Sequence, residues 1–213
     1  MILSKPRLAT MLLAMITAFV MSVVPATAQD ASDIDTSSIP EMALGNPDAD
    51  VTVVEYASFT CPHCASFHAG AFKDLKKDFI DTGKINFVYR EVYFDRQGLW
   101  AAIVARCGEE PENRFFGIAD MIYENQAAWA RQNDPQDIVA SLRRYGKTAG
   151  LTDAQLDACF TDSDNAQKLY ARYLQQAEED GVNSTPTFII NGTRYSNMPY
   201  SEMSAIINEA LGG

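Results

Sequence analysis

The chain alternates between short apolar runs and longer amphipathic stretches, and the two periods predict different elements. Residues 51–58 are rich in Val, Thr and Tyr with little alternation, the pattern of a central strand covered on both faces. Phe67, Ala71, Phe72, Leu75 and Phe79 then recur at helical spacing, with Lys73, Lys76 and Lys77 on the other side. Asp81-Thr82-Gly83-Lys84 stops that helix, and residues 85–92 read as a second strand. Strand, helix, strand is the unit from which parallel sheets are built.

From residue 98 to residue 179 the pattern is helical. Leu99, Trp100, Ile103, Val104 and Cys107 form one apolar stripe; Phe115, Phe116, Ala119, Met121, Ile122 and Tyr123 form another; Ile138, Leu142 and Tyr145 form a third. Thr152 and Gln155 make a capping box, with Leu151 and Leu156 placed as its hydrophobic staple. A last helix of this stretch runs over 165–179. Roughly 75 helical residues exceed what a crossover needs and predict an inserted helical domain. Strand character returns at 187–190 and 193–196, joined by Asn191-Gly192 as a tight hairpin turn. The chain closes with a helix from Tyr200 that turns Met203, Ile206, Ile207 and Leu211 inward. The fold class is therefore α/β: a core from 46–97 and 180–213, interrupted by a helical insertion over 98–179. Residues 29–45 are read as a flexible leader, small, polar and acidic at their start, with a turn signal at Asn46-Pro47-Asp48 just after them.

The first 28 residues read as an export signal. Lys5 and Arg7 give a positive start, residues 8–24 are apolar, Pro25 breaks the run, and Ala26-Thr27-Ala28 offers small residues for cleavage before Gln29. An uncleaved anchor is the alternative, since 17 apolar-rich residues lie at the short limit for spanning. The chain carries 17 basic and 28 acidic residues; without Lys5 and Arg7 the balance is 15 against 28, or −13. Such a surface argues against nucleic acid and anionic lipid as partners. Four cysteines in an exported chain suggest two disulfides. The two-residue loop favours Cys61 with Cys64, which leaves Cys107 for Cys159, read as a structural bridge, with a second redox pair or two regulatory thiols as the alternative.

Cys61-Pro62-His63-Cys64 carries the chemistry. Cys61 falls where a strand ends and a helix begins, so its sulfur should meet unpaired backbone N–H groups and the positive end of the helix dipole. Pro62 suits the first helical turn, where its missing N–H is not needed. His63 can add a hydrogen bond or a charge beside the sulfur. Each favours thiolate at Cys61, which stabilises the dithiol and makes the disulfide the stronger oxidant. Cys64, deeper in the helix, would close the ring and release a trapped partner. An inert disulfide and a metal site are the rival readings; Cys61, Cys64 and His68 supply three ligands but no further cluster completes a site. No metal or cofactor is expected, and His68 reads as a partly exposed helix residue.

Cys-Pro-His-Cys in this setting resembles the DsbA family of periplasmic thiol oxidases, and the likeness extends from about residue 40 to residue 211, densest over 51–68. The resemblance implies a thioredoxin fold with an inserted helical domain. It implies that Thr185-Pro186 is the cis-proline loop lying against the active-site sulfurs, where an extended substrate would pair with exposed backbone. It implies that Glu55 is the buried carboxylate that carries protons to and from Cys64. The family's lysine partner for Glu55 is not evident; Tyr89 or Arg90 lies near that place. Thr185 stands where DsbA itself typically has Val, as in other thioredoxin-fold oxidoreductases including isomerases. The implied partners are unfolded exported proteins with free cysteines and a DsbB-like, quinone-linked membrane oxidase, met by a monomer in the periplasm. A disulfide isomerase or reductase of the same fold is the alternative, and a non-catalytic metal carrier or holdase stands outside that chemistry. Asn183-Ser184-Thr185 and Asn191-Gly192-Thr193 match glycosylation acceptors but are explained by turn chemistry.

Overall fold

The computed structural model describes residues 30–213; the export signal read at 1–28 lies outside them. Its five strands are β1 (Met42–Gly45), β2 (Val51–Ala57), β3 (Ile85–Glu91), β4 (Thr187–Ile190) and β5 (Thr193–Ser196), in the sheet order β1-β3-β2-β4-β5. β2 pairs parallel with β3 and antiparallel with β4, which makes it the centre of the sheet. Six of its seven residues are buried, the physical reason for its unbroken apolar run. Alternate side chains divide between two layers. Val53 and Ala57 join the main core, while Val54 and Tyr56 pack with Val88, Val92 and Ile189 on the other face.

β1 corrects the leader reading. Met42–Gly45 pairs antiparallel with β3, with Met42 opposite Tyr89, and Ile39 and Met42 are buried. The segment before it is fastened by polar bonds to α8 (Ser163–Glu179): Gln175 donates to the carbonyls of Ala31 and Ile34, and Arg172 to that of Ile39. Four residues with one buried methionine carry too little periodicity to announce a strand. Gly45 ends it at φ +92, and a Cβ there would lie 2.3 Å from the Ile85 carbonyl oxygen.

The single helix expected after the Cys motif is divided into α1 (Pro62–Ala69) and α2 (Ala71–Leu75), continued by a π turn over Lys76–Ile80. Gly70 at the joint lacks a Cβ and adopts φ −128, ψ −92, outside the helical region. The wider turn lets Phe79 and Ile80 both bury. Between β3 and β4 lie α3 (Arg96–Ala105), α4 (Phe115–Glu124), α5 (Gln126–Trp129), α6 (Pro135–Thr148), α7 (Asp153–Thr161) and α8. This is the helical insertion. The capping box at Thr152 and Gln155 is formed in both directions. Cys107 and Cys159 are disulfide-bonded with Cα atoms 5.8 Å apart, joining the end of α3 to α7. The β4–β5 turn has Asn191 at φ 44 and Gly192 at φ 80, the doubly positive geometry that Asn-Gly tolerates best. In the closing helix α9 (Tyr200–Ala210), Met203 and Ile207 are buried and Ile206 is half-buried. Leu211 lies just past its end and is exposed, against the inward reading. Among the described residues no helix is long and apolar enough to cross a membrane.

Candidate active site

Cys61 is the N-cap of α1, with extended backbone (φ −80, ψ 119) and Pro62 at the first helical position. An N-cap side chain ordinarily satisfies the helix's free N–H groups through an oxygen. As a thiol, Cys61 makes no such bond. As a thiolate it would, because the N–H groups of His63 and Cys64 stand beside the sulfur. The Cys61 pKa is lowered to about 5; the Cys64 thiol contributes most, then the Thr185 side chain and those two N–H groups, against the opposing effect of burial. Cys64 is fully buried, and burial, the Cys61 sulfur and the Glu55 carboxylate all push its thiol up. The pair is therefore split: a half-exposed sulfur that ionises easily, above a buried one that holds its proton. His63 acts on Cys61 through its backbone, and its side chain is exposed.

The Thr185–Pro186 bond is cis, and Cys61 Sγ donates to the Thr185 carbonyl at 3.4 Å. Pro186 is buried, and the Thr185 hydroxyl, buried and without a hydrogen-bond partner among the described residues while Cys61 is a thiol, is free to donate to a Cys61 thiolate. The fold thus brings Thr185 and Pro186, from the far end of the chain, against Cys61.

Glu55 lies at the middle of β2, directly between Tyr89 on β3 and Phe188 on β4, and is fully buried. Neither residue near the family's lysine position pairs with it. The Tyr89 and Tyr123 hydroxyls are hydrogen-bonded to each other at 2.6 Å, and Arg90 turns to the opposite face, toward Asp180 and Glu41. The partner is His68. Its Nε2 is 3.0 Å from Glu55 Oε2, and His68 is only 5% exposed, which corrects the reading of a partly exposed residue. Position explains this: His68 is one turn after Cys64, so the two share the inward side of α1. Its ring is stacked on Tyr123, centroids 4.3 Å apart and planes 17° from parallel.

Sequence reasoning passed over a second contributor, Gln126. Its Nε2 donates at 2.9 Å both to the Phe59 carbonyl and to the Cys61 carbonyl, so the first residue of α5 holds the loop that carries Cys61. Thr60 donates to Asp95 Oδ2 at 2.7 Å, and Asp95 is the N-cap of α3, the first helix leading into the insert. A buried glutamine among apolar helices was the one available signal. Cys107 and Cys159, bonded within the insert, are not part of this cluster.

The thioredoxin family pattern matches residues 37–209. A Rickettsia bellii protein named as a protein-disulfide oxidoreductase is 34% identical over 171 residues, covering 80% of this chain, which spans 64% of that protein's length. Disulfide bond formation protein D of Bacillus subtilis is 27% identical, with 80% of this chain and 77% of that protein covered. Among solved structures, Wolbachia pipientis α-DsbA1 superposes with a TM-score of 0.74 at 24% identity, over 82% of this chain and 92% of that one. That likeness is one of fold. The chain belongs to the thioredoxin family and shares its fold with the DsbA structure, with Cys61 capping the first helix of its core.

Proposed function

We propose that the protein is a thiol:disulfide oxidoreductase that donates the Cys61–Cys64 disulfide to newly exported proteins. The observation that carries this reading is the division of proton affinity between the two sulfurs, Cys61 at about 5 and Cys64 pushed far up by burial. A dithiol so divided is stabilised in its reduced form, which makes the disulfide a strong oxidant.

A client thiolate attacks Cys61 Sγ, the Cys61–Cys64 bond breaks, and Cys64 leaves with the electron pair. Cys64 takes up a proton by way of Glu55, the acid group buried beneath it. The client's second thiolate then attacks the client sulfur of the mixed disulfide. Cys61 departs as a thiolate, held by the N–H groups of His63 and Cys64. Two electrons have passed from the client to the protein, one proton has gone to Cys64, and the client leaves with a disulfide. The client lies extended along Thr185–Pro186, whose backbone is its pairing edge. Reoxidation falls to a DsbB-like membrane oxidase that passes the electrons to quinone, and the chain works as a monomer in the periplasm.

Thr185 before the cis-proline favours a second reading of the same site, an isomerase or reductase. Equilibrating the chain at defined glutathione ratios separates the two. The oxidase reading expects a potential well above that of thioredoxin, and a value near about −270 mV would overturn it. Activity that survives Cys61→Ser together with Cys64→Ser would remove disulfide exchange altogether in favour of a binding module. Trapping mixed disulfides with Cys64→Ala in cells would identify the clients.

A further inference from the structure

Glu55 alone does not complete a proton path, because it is fully buried beneath α1. A carboxyl that protonates Cys64 must itself be reprotonated, and the route outward is legible in the side chains around it. Oε2 faces His68 Nε2 at 3.0 Å, while Oε1 has no hydrogen-bond partner among the described residues. His68 Nδ1 is likewise buried and without a partner among them. His68 also lines a cavity of about 100 Å³ between α1, α2 and α4, bordered by Lys73, Asp120 and Glu124, all three exposed. That is room for several water molecules. With Nε2 committed to Glu55, Nδ1 is the one unpaired nitrogen of a side chain that lines the cavity.

We propose that His68 is the outer half of the proton path, relaying protons between this cavity and Glu55, and through Glu55 to Cys64. The inference rests on the reading of Cys61–Cys64 as an exchanging disulfide. When Cys64 leaves as a thiolate it takes the Glu55 proton. His68 replaces that proton from Nε2 and recovers one at Nδ1 from water in the cavity. Oxidation of the dithiol runs the same path backwards. Each passage moves one proton, and no electrons enter or leave the imidazole. Histidine suits the task because its two nitrogens can take and give protons at opposite edges of the ring near neutral pH.

The titratable groups that face His68 are Glu55 on β2, Tyr89 on β3, Lys73 on α2 and Lys76 in the turn after it. Asp120, Tyr123 and Glu124 face it from α4, and Cys64 lies on its own helix. Tyr89 and Tyr123 are bonded to each other at 2.6 Å, which leaves His68, a residue lining the cavity, as the group with an unpaired nitrogen among the described residues.

The test is stopped-flow reduction and reoxidation of the full chain by dithiothreitol and its oxidised form, from about pH 5 to pH 8, for wild type, His68→Gln, Glu55→Gln and the double variant. Glutamine keeps a donor for Glu55 but cannot pass a proton through. Both rates should fall by about tenfold or more in His68→Gln, within what a positioned acid–base group contributes. The two rates should fall equally, leaving the equilibrium constant unchanged, and the double variant should be no slower than Glu55→Gln alone. Wild-type rates in His68→Gln across this pH range would overturn the proposal. So would an equilibrium shift as large as the rate change, which would mean that His68 acts by its charge. Should the variant not fold, the wild type in mixtures of light and heavy water decides: a curved dependence on deuterium fraction is expected, and no isotope effect refutes the relay. A wild type that exchanges no disulfide would instead sink the underlying reading of Cys61–Cys64.

Discussion

The divided sulfur pair fixes how the redox potential should change with pH. The disulfide binds no protons at its sulfurs. Below about pH 5 the dithiol binds two, because Cys61 is then a thiol. Above that value it binds one, since Cys61 is ionised while burial keeps Cys64 protonated. For a two-electron couple each proton per tenfold change contributes about 30 mV, so the potential should fall by about 59 mV per pH unit below the break and about 30 mV above it. The sign also sets the reduced fold's stability. A Cys61 pKa depressed from 9.0 to about 5 adds stability that is fully present above the unfolded value and lost as the pH falls toward 5. At pH 7 the two intervening units correspond to about 2.7 kcal/mol, and solvent screening of a half-exposed sulfur reduces this to about 1–2 kcal/mol. That makes the disulfide about 20–45 mV more oxidising than the same pair with an ordinary Cys61. The assay is equilibration with dithiol buffers of known potential in steps from about pH 4 to pH 8.5, with acid trapping and maleimide labelling to count thiols. A slope of 59 mV per unit persisting through pH 8 would refute the reasoning, because Cys61 would then be an ordinary thiol.

Three further outcomes follow from the packing. Gln126→Ala removes two hydrogen bonds from the buried loop carbonyls of Phe59 and Cys61 and should cost about 2 kcal/mol in chemical unfolding, with a faster hydrogen exchange confined to that loop. Cys107→Ala with Cys159→Ala opens a bridge of sequence separation 52, worth about 4 kcal/mol in the chain-entropy model; melting should fall by about 8–16 °C while Cys61 alkylation keeps its pH profile. Arg106 donates to both oxygens of Glu91 at 2.5 and 2.8 Å, each side chain only 6% exposed, so Arg106→Met strands a buried carboxylate and should cost about 3–5 kcal/mol, visible as a lower denaturant midpoint.

The parts legible in the sequence are those where one local pattern determines one element. The β2 run, the Thr152 capping box and the Asn191-Gly192 turn each state their own geometry, and the structure has each of them. What escaped depends on contacts between distant segments. β1 is a strand because β3 offers an open edge to Met42–Gly45, and those four residues cannot show that by themselves. His68 was visible as one turn from Cys64, but its burial needs β2 below it and Tyr123 of α4 beside it, a residue 55 positions away. A buried carboxylate with no lysine to meet it was a sign that some other donor had to be found. Gln126 was hidden for the same reason, since its partners lie 65 and 67 residues earlier.

These long-range contacts make the helical insertion part of the scaffold that holds Cys61. The loop that presents Cys61 hangs between two halves of the protein: β2 feeds it from the sheet, while Gln126, and Asp95 through Thr60, hold it from the insert. The Glu55–His68 pair is enclosed in the same way, by Tyr89 from the sheet and Tyr123 from α4. The seam between the halves is also closed by Arg106 and Glu91, with a third bond from Arg106 to the Pro40 carbonyl. Undocking the insert would therefore take the Gln126 bonds from the Phe59 and Cys61 carbonyls, expose the imidazole and open the space around the buried carboxylate together. The reactivity of Cys61 and the stability of the seam are then one property: a change at Arg106 that loosens the seam should also raise the Cys61 pKa, by taking away the order that aims the His63 and Cys64 N–H groups at the sulfur.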